Sequence, residues 1–175
     1  MMVANVNIYH KQTMLLKILT DDHPLLREKS QAVNTITAAT KQLVKDLTET
    51  MNYGSRAVGI AAPQVGILER IIICKLRNAQ GKNDDVAMIN PQIITHSTIC
   101  EIGEEGCLSI PNIFGPVKRP REITVQYATP DKKQVLKRFV GFNARVIQHE
   151  IDHLEGILFT DLVTNKEELF EELNF

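Results

Sequence analysis

The sequence is short of several things, and each shortage excludes a class of protein. Only three cysteines occur in 175 residues. That is too few, and an odd number, for a disulfide framework; a reduced compartment is expected, where a thiol serves as ligand or nucleophile. Net charge is nearly absent, with 20 basic residues against 21 acidic ones. The balance gives no electrostatic case for nucleic acid or an anionic membrane as the main partner. Apolar runs stay as short as Ile71–Cys74, far below a bilayer span. Near the N-terminus Lys17 interrupts the apolar stretch Met14–Leu19, and residues 1–22 contain no Arg. Neither a secretory signal nor a transit peptide is expected, which points to a cytoplasmic protein. Repeats, low-complexity tracts and linkers are also missing. One domain over residues 1–175 is the expectation, with 1–15 as a loose arm lacking periodicity.

What is present is ordinary globular material, 43% hydrophobic and 23% charged, enough to bury a substantial core. Ile36, Leu43, Leu47 and Met51 recur at mostly helical spacing, with Asn34 or Thr35 as the expected cap and Asn52-Tyr53-Gly54-Ser55 as the stop. The β-branched run Arg70–Cys74 predicts a buried strand. A strand is expected over Gln92–Ile102, punctuated by Asn90-Pro91, with Gly103 and Gly106 bracketing an acidic pair. Ile123, Val125 and Tyr127 alternate with polar residues, and Thr129-Pro130-Asp131 turns the chain into Val135–Val140, a hairpin. A final helix is expected from about Asn143 to Glu155, capped by Gly156. On it Ile147, Ile151 and Leu154 face one way, and Val146, His149, Glu150 and His153 another. The pattern predicts an α+β fold, mainly antiparallel strands packed around a C-terminal metal-binding helix.

The metal expectation comes from His149-Glu150-Ile151-Asp152-His153, an H-E-x-x-H motif on that helix. Histidines four residues apart lie one turn on, so both imidazoles reach one ion. Glu150 between them can handle the proton of a metal-bound water. The His and Glu frequencies give about 0.01 chance occurrences in such a chain, which disfavours a solvated face with incidental histidines. A catalytic site needs a third ligand and an open position. His10, His23 and His96 sit in no motif. Cys74, and with it Cys100, reads as a small buried hydrophobe. Cys107, in Glu105-Gly106-Cys107-Leu108-Ser109, follows a Gly that lets the backbone turn a thiol toward a site.

Three segments together resemble peptide deformylase: Gly59-Ile60-Ala61-Ala62-Pro63-Gln64, Glu105-Gly106-Cys107-Leu108-Ser109, and Gln148-His149-Glu150-Ile151-Asp152-His153. The resemblance runs from about Leu16 to Leu162, and the three motifs in this order are highly specific. It implies that Cys107, His149 and His153 bind one divalent metal ion, Fe(II) replaceable by Zn, Ni or Co, with water as fourth ligand. It also implies Glu150 as proton shuttle, and the Gln64 side-chain N–H with the Leu108 backbone N–H as oxyanion hole. Val58, Gly59, Glu105 and Gly106 would meet the substrate, with Gly59 against the formyl group, and Arg119 would support the metal-site loop beside Glu105. The implied reaction removes formyl from N-formylmethionyl nascent peptides.

Two features depart from the family pattern. Ala57 stands where the family usually has Gly, so a Cβ crowds that turn if its φ is positive. The tail, residues 165–175, is acidic and amphipathic, with Leu169, Phe170 and Leu173 on one side. Some family members carry a basic helix there for ribosome docking. The acidic tail does not support contact with the ribosome exit region, and packing onto the domain or a partner is expected instead. The competing readings are an H-E-x-x-H endopeptidase, disfavoured by the Cys ligand and the short chain, and a non-catalytic metal-stabilised module, disfavoured by intact Glu150, Gln64 and Cys107.

Overall fold

The computed structural model describes residues 15–53 and 57–172. Helix α1 spans Ala38–Asn52. Strands β1 (Gly59–Ala61), β2 (Ile71–Arg77) and β3 (Asn83–His96) follow, then β4 (Cys100–Cys107), β5 (Ile110–Pro120), β6 (Glu122–Ala128) and β7 (Gln134–Val140). Helix α2 covers Phe142–Leu154, the one-turn α3 covers Phe159–Leu162, and β8 is Phe170–Glu171. The strands form two antiparallel sheets, β1-β2-β3-β6-β7 and β4-β5-β8.

The five-stranded sheet is covered on both faces, which explains why β2 reads as a continuous apolar run instead of an alternating one. Ile71 and Ile73 join Leu47 and Met51 of α1 in one core. Ile72 and Cys74, on the opposite pleat, join Ala144, Ile147, Ile151 and Leu154 of α2 in another. Each fully buried Ile side chain contributes about 1.5–3 kcal/mol of transfer free energy. The hairpin β6–β7 pairs Ile123 with Phe139 and Val125 with Lys137, as the alternation and the Thr129-Pro130-Asp131 turn predict. Gly156, with φ 74°, ends α2 in the left-handed conformation. A Cβ there would lie 2.4 Å from the Arg27 carbonyl oxygen, so only Gly lets that segment close on the helix end.

Four expectations outside the tail need correction. The cap of α1 is Thr37, not Asn34 or Thr35: the Thr37 hydroxyl accepts from Thr40 N–H while the Thr40 hydroxyl accepts from Thr37 N–H, a reciprocal arrangement that outcompetes a single capping bond. The strand expected over Gln92–Ile102 is two strands in two sheets. Between them the Ser97 hydroxyl donates to Ile99 O at 2.7 Å and Arg121 N–H donates to the same oxygen at 2.9 Å, which turns the chain from one sheet to the other. Asn90-Pro91 makes a bulge inside β3, not a boundary; Asn90 has φ 52° and its side chain bonds both Val33 N–H and Val33 O. Cys100 is exposed at the start of β4, unlike the buried Cys74.

In the tail, Leu169 packs beside Val163 and Ile113, while Phe170 lies in β8 and stacks on Phe114 with centroids 5.9 Å apart. Adjacent residues of an extended segment point to opposite sides, so Leu169 and Phe170 do not share one face. Leu173 and residues 1–14 lie outside the described residues.

Candidate metal centre

The polar side chains of α2 gather where the two sheets meet. One turn separates His149 from His153, and their rings meet edge-on with centroids 5.1 Å apart. Opposite them, β4 ends at Cys107, and the two-residue turn Leu108-Ser109 returns the chain into β5, pairing Cys107 with Ile110. This places Cys107 Sγ 3.2 Å from His153 Nε2. Ligand atoms of Cys107, His149 and His153 all lie within 4.8 Å of one another, a span that one ion bridges at ordinary bond lengths.

Each donor has a defined orientation. His149 Nδ1 sits 2.9 Å from Glu105 Oε2, which leaves Nε2 for the ion and strengthens the ring as a donor. Glu105 itself is buried and held by Arg119 Nε at 2.6 Å and Arg119 Nη2 at 2.8 Å. Arg119 Nη1 extends the network to Asp152 at 2.7 Å. Phe159 stacks on the far side of His149, centroids 6.2 Å apart. Two donors point at the sulfur: Gln64 Nε2 and Ser109 N–H, both at 3.4 Å. The Gln64 amide is oriented because its Oε1 accepts from Ala61 N–H at 2.8 Å and its Nε2 also donates to Ser109 Oγ at 3.2 Å. Its N–H end therefore faces the thiol and the Leu108-Ser109 turn.

The electrostatics of the ligand set favour a thiolate paired with imidazolium. Burial works to raise the Cys107 thiol, but the His153 charge and hydrogen bonds from both imidazoles outweigh it and hold the thiol well below its ordinary range. Burial also works against charge on His149, yet its bonds to Cys107 and Glu105 hold it well above its ordinary range. Desolvation is offset at Glu105 by Arg119 and His149, which depress its carboxyl to about 2. Glu150 has no such partner. Burial pushes its carboxyl up to about 7, against the pull of the two imidazoles. Among the described residues, Glu150 Oε2 and His153 Nδ1 are buried with no hydrogen-bond partner. A soft thiolate and two imidazoles beside a buried carboxylate with one unpartnered oxygen fit a divalent transition metal with an acid–base group at its side.

The remaining sequence-predicted residues divide into two groups. Gly59 packs directly on Glu150: a Cβ there would fall 2.1 Å from Oε1. Gly106 makes room for the Phe114 ring, which a Cβ would meet at 2.4 Å. Val58 is partly exposed just before β1, and its carbonyl accepts from Lys75 N–H at 2.7 Å. The Glu105 side chain, by contrast, is wholly engaged within the protein and leaves only backbone for a substrate. Ala57 packs at the edge of the α1-side core, and the turn ahead of it lies outside the described residues.

Residues 15–169 match the profile of the polypeptide deformylase family. The chain belongs to the peptide deformylase family. It is 45% identical over 150 residues to a peptide deformylase of Pseudothermotoga lettingae, covering 86% of this chain and 84% of that one. A Finegoldia magna peptide deformylase is 40% identical over 163 residues, covering 91% and 97%. The crystal structure of the Thermotoga maritima enzyme superposes with TM-score 0.81 at 36% identity, over 87% of this chain and 99% of that one. A Met-Ala-Ser-bound structure of a class I type b enzyme from Acinetobacter baumannii gives TM-score 0.81 at 35% identity, over 86% and 99%. The family removes N-formyl groups from nascent peptides and is metal-dependent, and this chain is a hydrolase of that kind. No helix among the described residues is long and apolar enough to cross a membrane.

Proposed function

We propose that the chain deformylates N-formylmethionyl peptides in the cytoplasm with Fe(II) held by Cys107, His149 and His153. The observation that carries this reading is the convergence of those three ligands beside Glu150, whose Oε2 is buried without a hydrogen-bond partner. When bound, the ion acts as a Lewis acid and lowers the pKa of a coordinating water. Glu150 takes a proton from the attacking water as the new C–O bond forms at the formyl carbon. The developing oxyanion accepts from Gln64 Nε2–H and the Leu108 N–H, each such donor contributing typically ~3 kcal/mol. Glu150 then returns the proton to the departing amine as the C–N bond breaks, leaving formate and a free N-terminus. A carboxyl near 7 is suited to both transfers at neutral pH.

The substrate backbone has a natural place. Strand β1 is at the edge of the five-stranded sheet and β4 at the edge of the three-stranded one. An extended peptide can pair along Val58 and Gly59 on one side and Gly106 on the other. Gly59 in contact with Glu150 leaves space for only hydrogen on the acyl carbon. Formate release from formyl-Met-Ala-Ser, compared with acetate release from acetyl-Met-Ala-Ser, tests the assignment. Rapid turnover of the first and almost none of the second is expected. Similar rates on both, or peptide-bond cleavage, would favour the endopeptidase; binding without turnover would favour the non-catalytic module.

A further inference from the structure

Arg145 lies on α2 four residues before His149, on a helix whose buried side chains are mostly apolar or belong to the metal site. An Arg so placed reads in sequence as part of a solvated face. Its guanidinium instead reaches across to the other sheet. Nη1 lies 2.7 Å from Glu105 Oε1, 2.8 Å from Val117 O and 3.3 Å from Gly103 O, and Nη2 lies 2.7 Å from Glu101 O. The side chain is only 13% exposed. The passage for it is made by Gly103, where an added Cβ would sit 2.9 Å from three guanidinium atoms.

Two independent connections run from this group to the ligand set. Through the three carbonyls it joins α2, which carries His149 and His153, to both strands of the hairpin that carries Cys107. Through Glu105 Oε1 it completes the carboxylate: Arg119 and Arg145 share that oxygen, while Oε2 takes Arg119 and His149 Nδ1. A planar fork spreads its fixed donors over separate nitrogens and so reaches Glu101 O and Glu105 Oε1 together, whereas an ammonium concentrates its three donors on one atom.

We infer that Arg145 is a positioning residue of the metal centre, setting the Cys107 hairpin against the ligand helix and holding Glu105 on His149. The inference rests on the metal-ligand reading of Cys107, His149 and His153. The test loads the parent chain, Arg145→Lys and Gly103→Ala with Co(II). It compares visible and near-ultraviolet spectra, Co(II) affinity by chelator competition, and kcat and KM. Second-layer partners of metal ligands typically change affinity or activity by about 10–100-fold. Arg145→Lys should weaken Co(II) by that range, shift the thiolate-to-cobalt and d–d bands, and lower kcat with KM nearly unchanged. Gly103→Ala, which keeps every donor but displaces the guanidinium, should move the spectrum in the same direction by less. If Arg145→Lys does not fold, the Gly103→Ala spectrum decides alone. Parental spectra and affinity in the folded variants, whatever the change in Tm, would reduce Arg145 to a structural staple and overturn the inference. A parent chain that takes up Co(II) without a thiolate band would overturn the ligand reading beneath it.

Discussion

Helices α1 and α2 cover opposite faces of the same sheet, yet they take different kinds of side chain into the interior. Helix α1 buries Leu47 and Met51, and its two buried hydroxyls are satisfied nearby: Thr40 in the capping box, and Thr50 by donating to Asp46 O at 2.7 Å and accepting from Leu16 N–H at 3.0 Å. Helix α2 buries Gln148, His149, Glu150 and His153 among its aliphatic residues. Gln148 reaches Pro120 O and Ala144 O, His149 needs Glu105, and Glu150 keeps one oxygen without a partner. A packing helix brings little polar material to the sheet it covers, although Glu49 Oε2 of α1 is also buried without a hydrogen-bond partner. Helix α2 carries a polar load that a second sheet must hold, and two of its unpartnered buried atoms, Glu150 Oε2 and His153 Nδ1, lie at the candidate metal centre.

The contrast is tested most severely at Glu150. Glu150→Gln keeps the shape and removes the proton-transfer group, so kcat should fall by about 10²–10⁴-fold or more with stoichiometric metal retained; Cys107→Ala, measured beside it, should lose the metal. Metal loss in Glu150→Gln, or near-normal kcat, would show that α2 divides its roles differently. On the other helix, Leu47→Ala opens a cavity in a fully buried position and should cost about 2–5 kcal/mol in denaturant unfolding. Its kcat per folded molecule should be unchanged; a matching fall in kcat would mean that the two faces of the sheet are not separable. The smallest effect concerns Glu105, whose folded carboxyl is depressed to about 2 from its ordinary 4.5. A depressed carboxyl stabilises the fold fully above its unfolded pKa and loses that contribution as pH falls toward the folded one. The stability gap between the parent and Glu105→Gln, at most about 3 kcal/mol from this source, should narrow between pH 4.5 and 2. A gap constant over that window would remove the ionic role assigned to Glu105.

The parts legible in the sequence share one property: a short spacing rule determines them. The i, i+4 histidines, the alternation of β6 and the apolar run of β2 each report local geometry that tertiary contacts did not alter. What was not legible depends on contacts between distant segments. Asn34 and Thr35 stood as the capping candidates, and only the reciprocal bond between Thr37 and Thr40 shows that the cap lies further along. Cys100 resembled Cys74 in its apolar neighbourhood, but the turn at Ser97–Ile99 carries it to an exposed edge. The sequence marked Arg119 and Glu105 only by resemblance. Ser109 and Asp152 stood inside the motifs without an assigned role, and Arg145 carried no signal at all, because their partners lie 45, 33 and 40 residues away.

The separation of Cys107 from His153, 46 residues, also has a meaning in time. At ribosomal rates of about 5–20 residues per second, roughly 2–9 s pass between synthesis of the thiol and synthesis of the last imidazole. Through that interval Cys107 stands at the end of its hairpin with no helix opposite it. A metal ion arriving then finds one ligand of three and no Glu105–His149 bond to orient the second. The full ligand set therefore exists only late in the synthesis of each molecule, once α2 has been made.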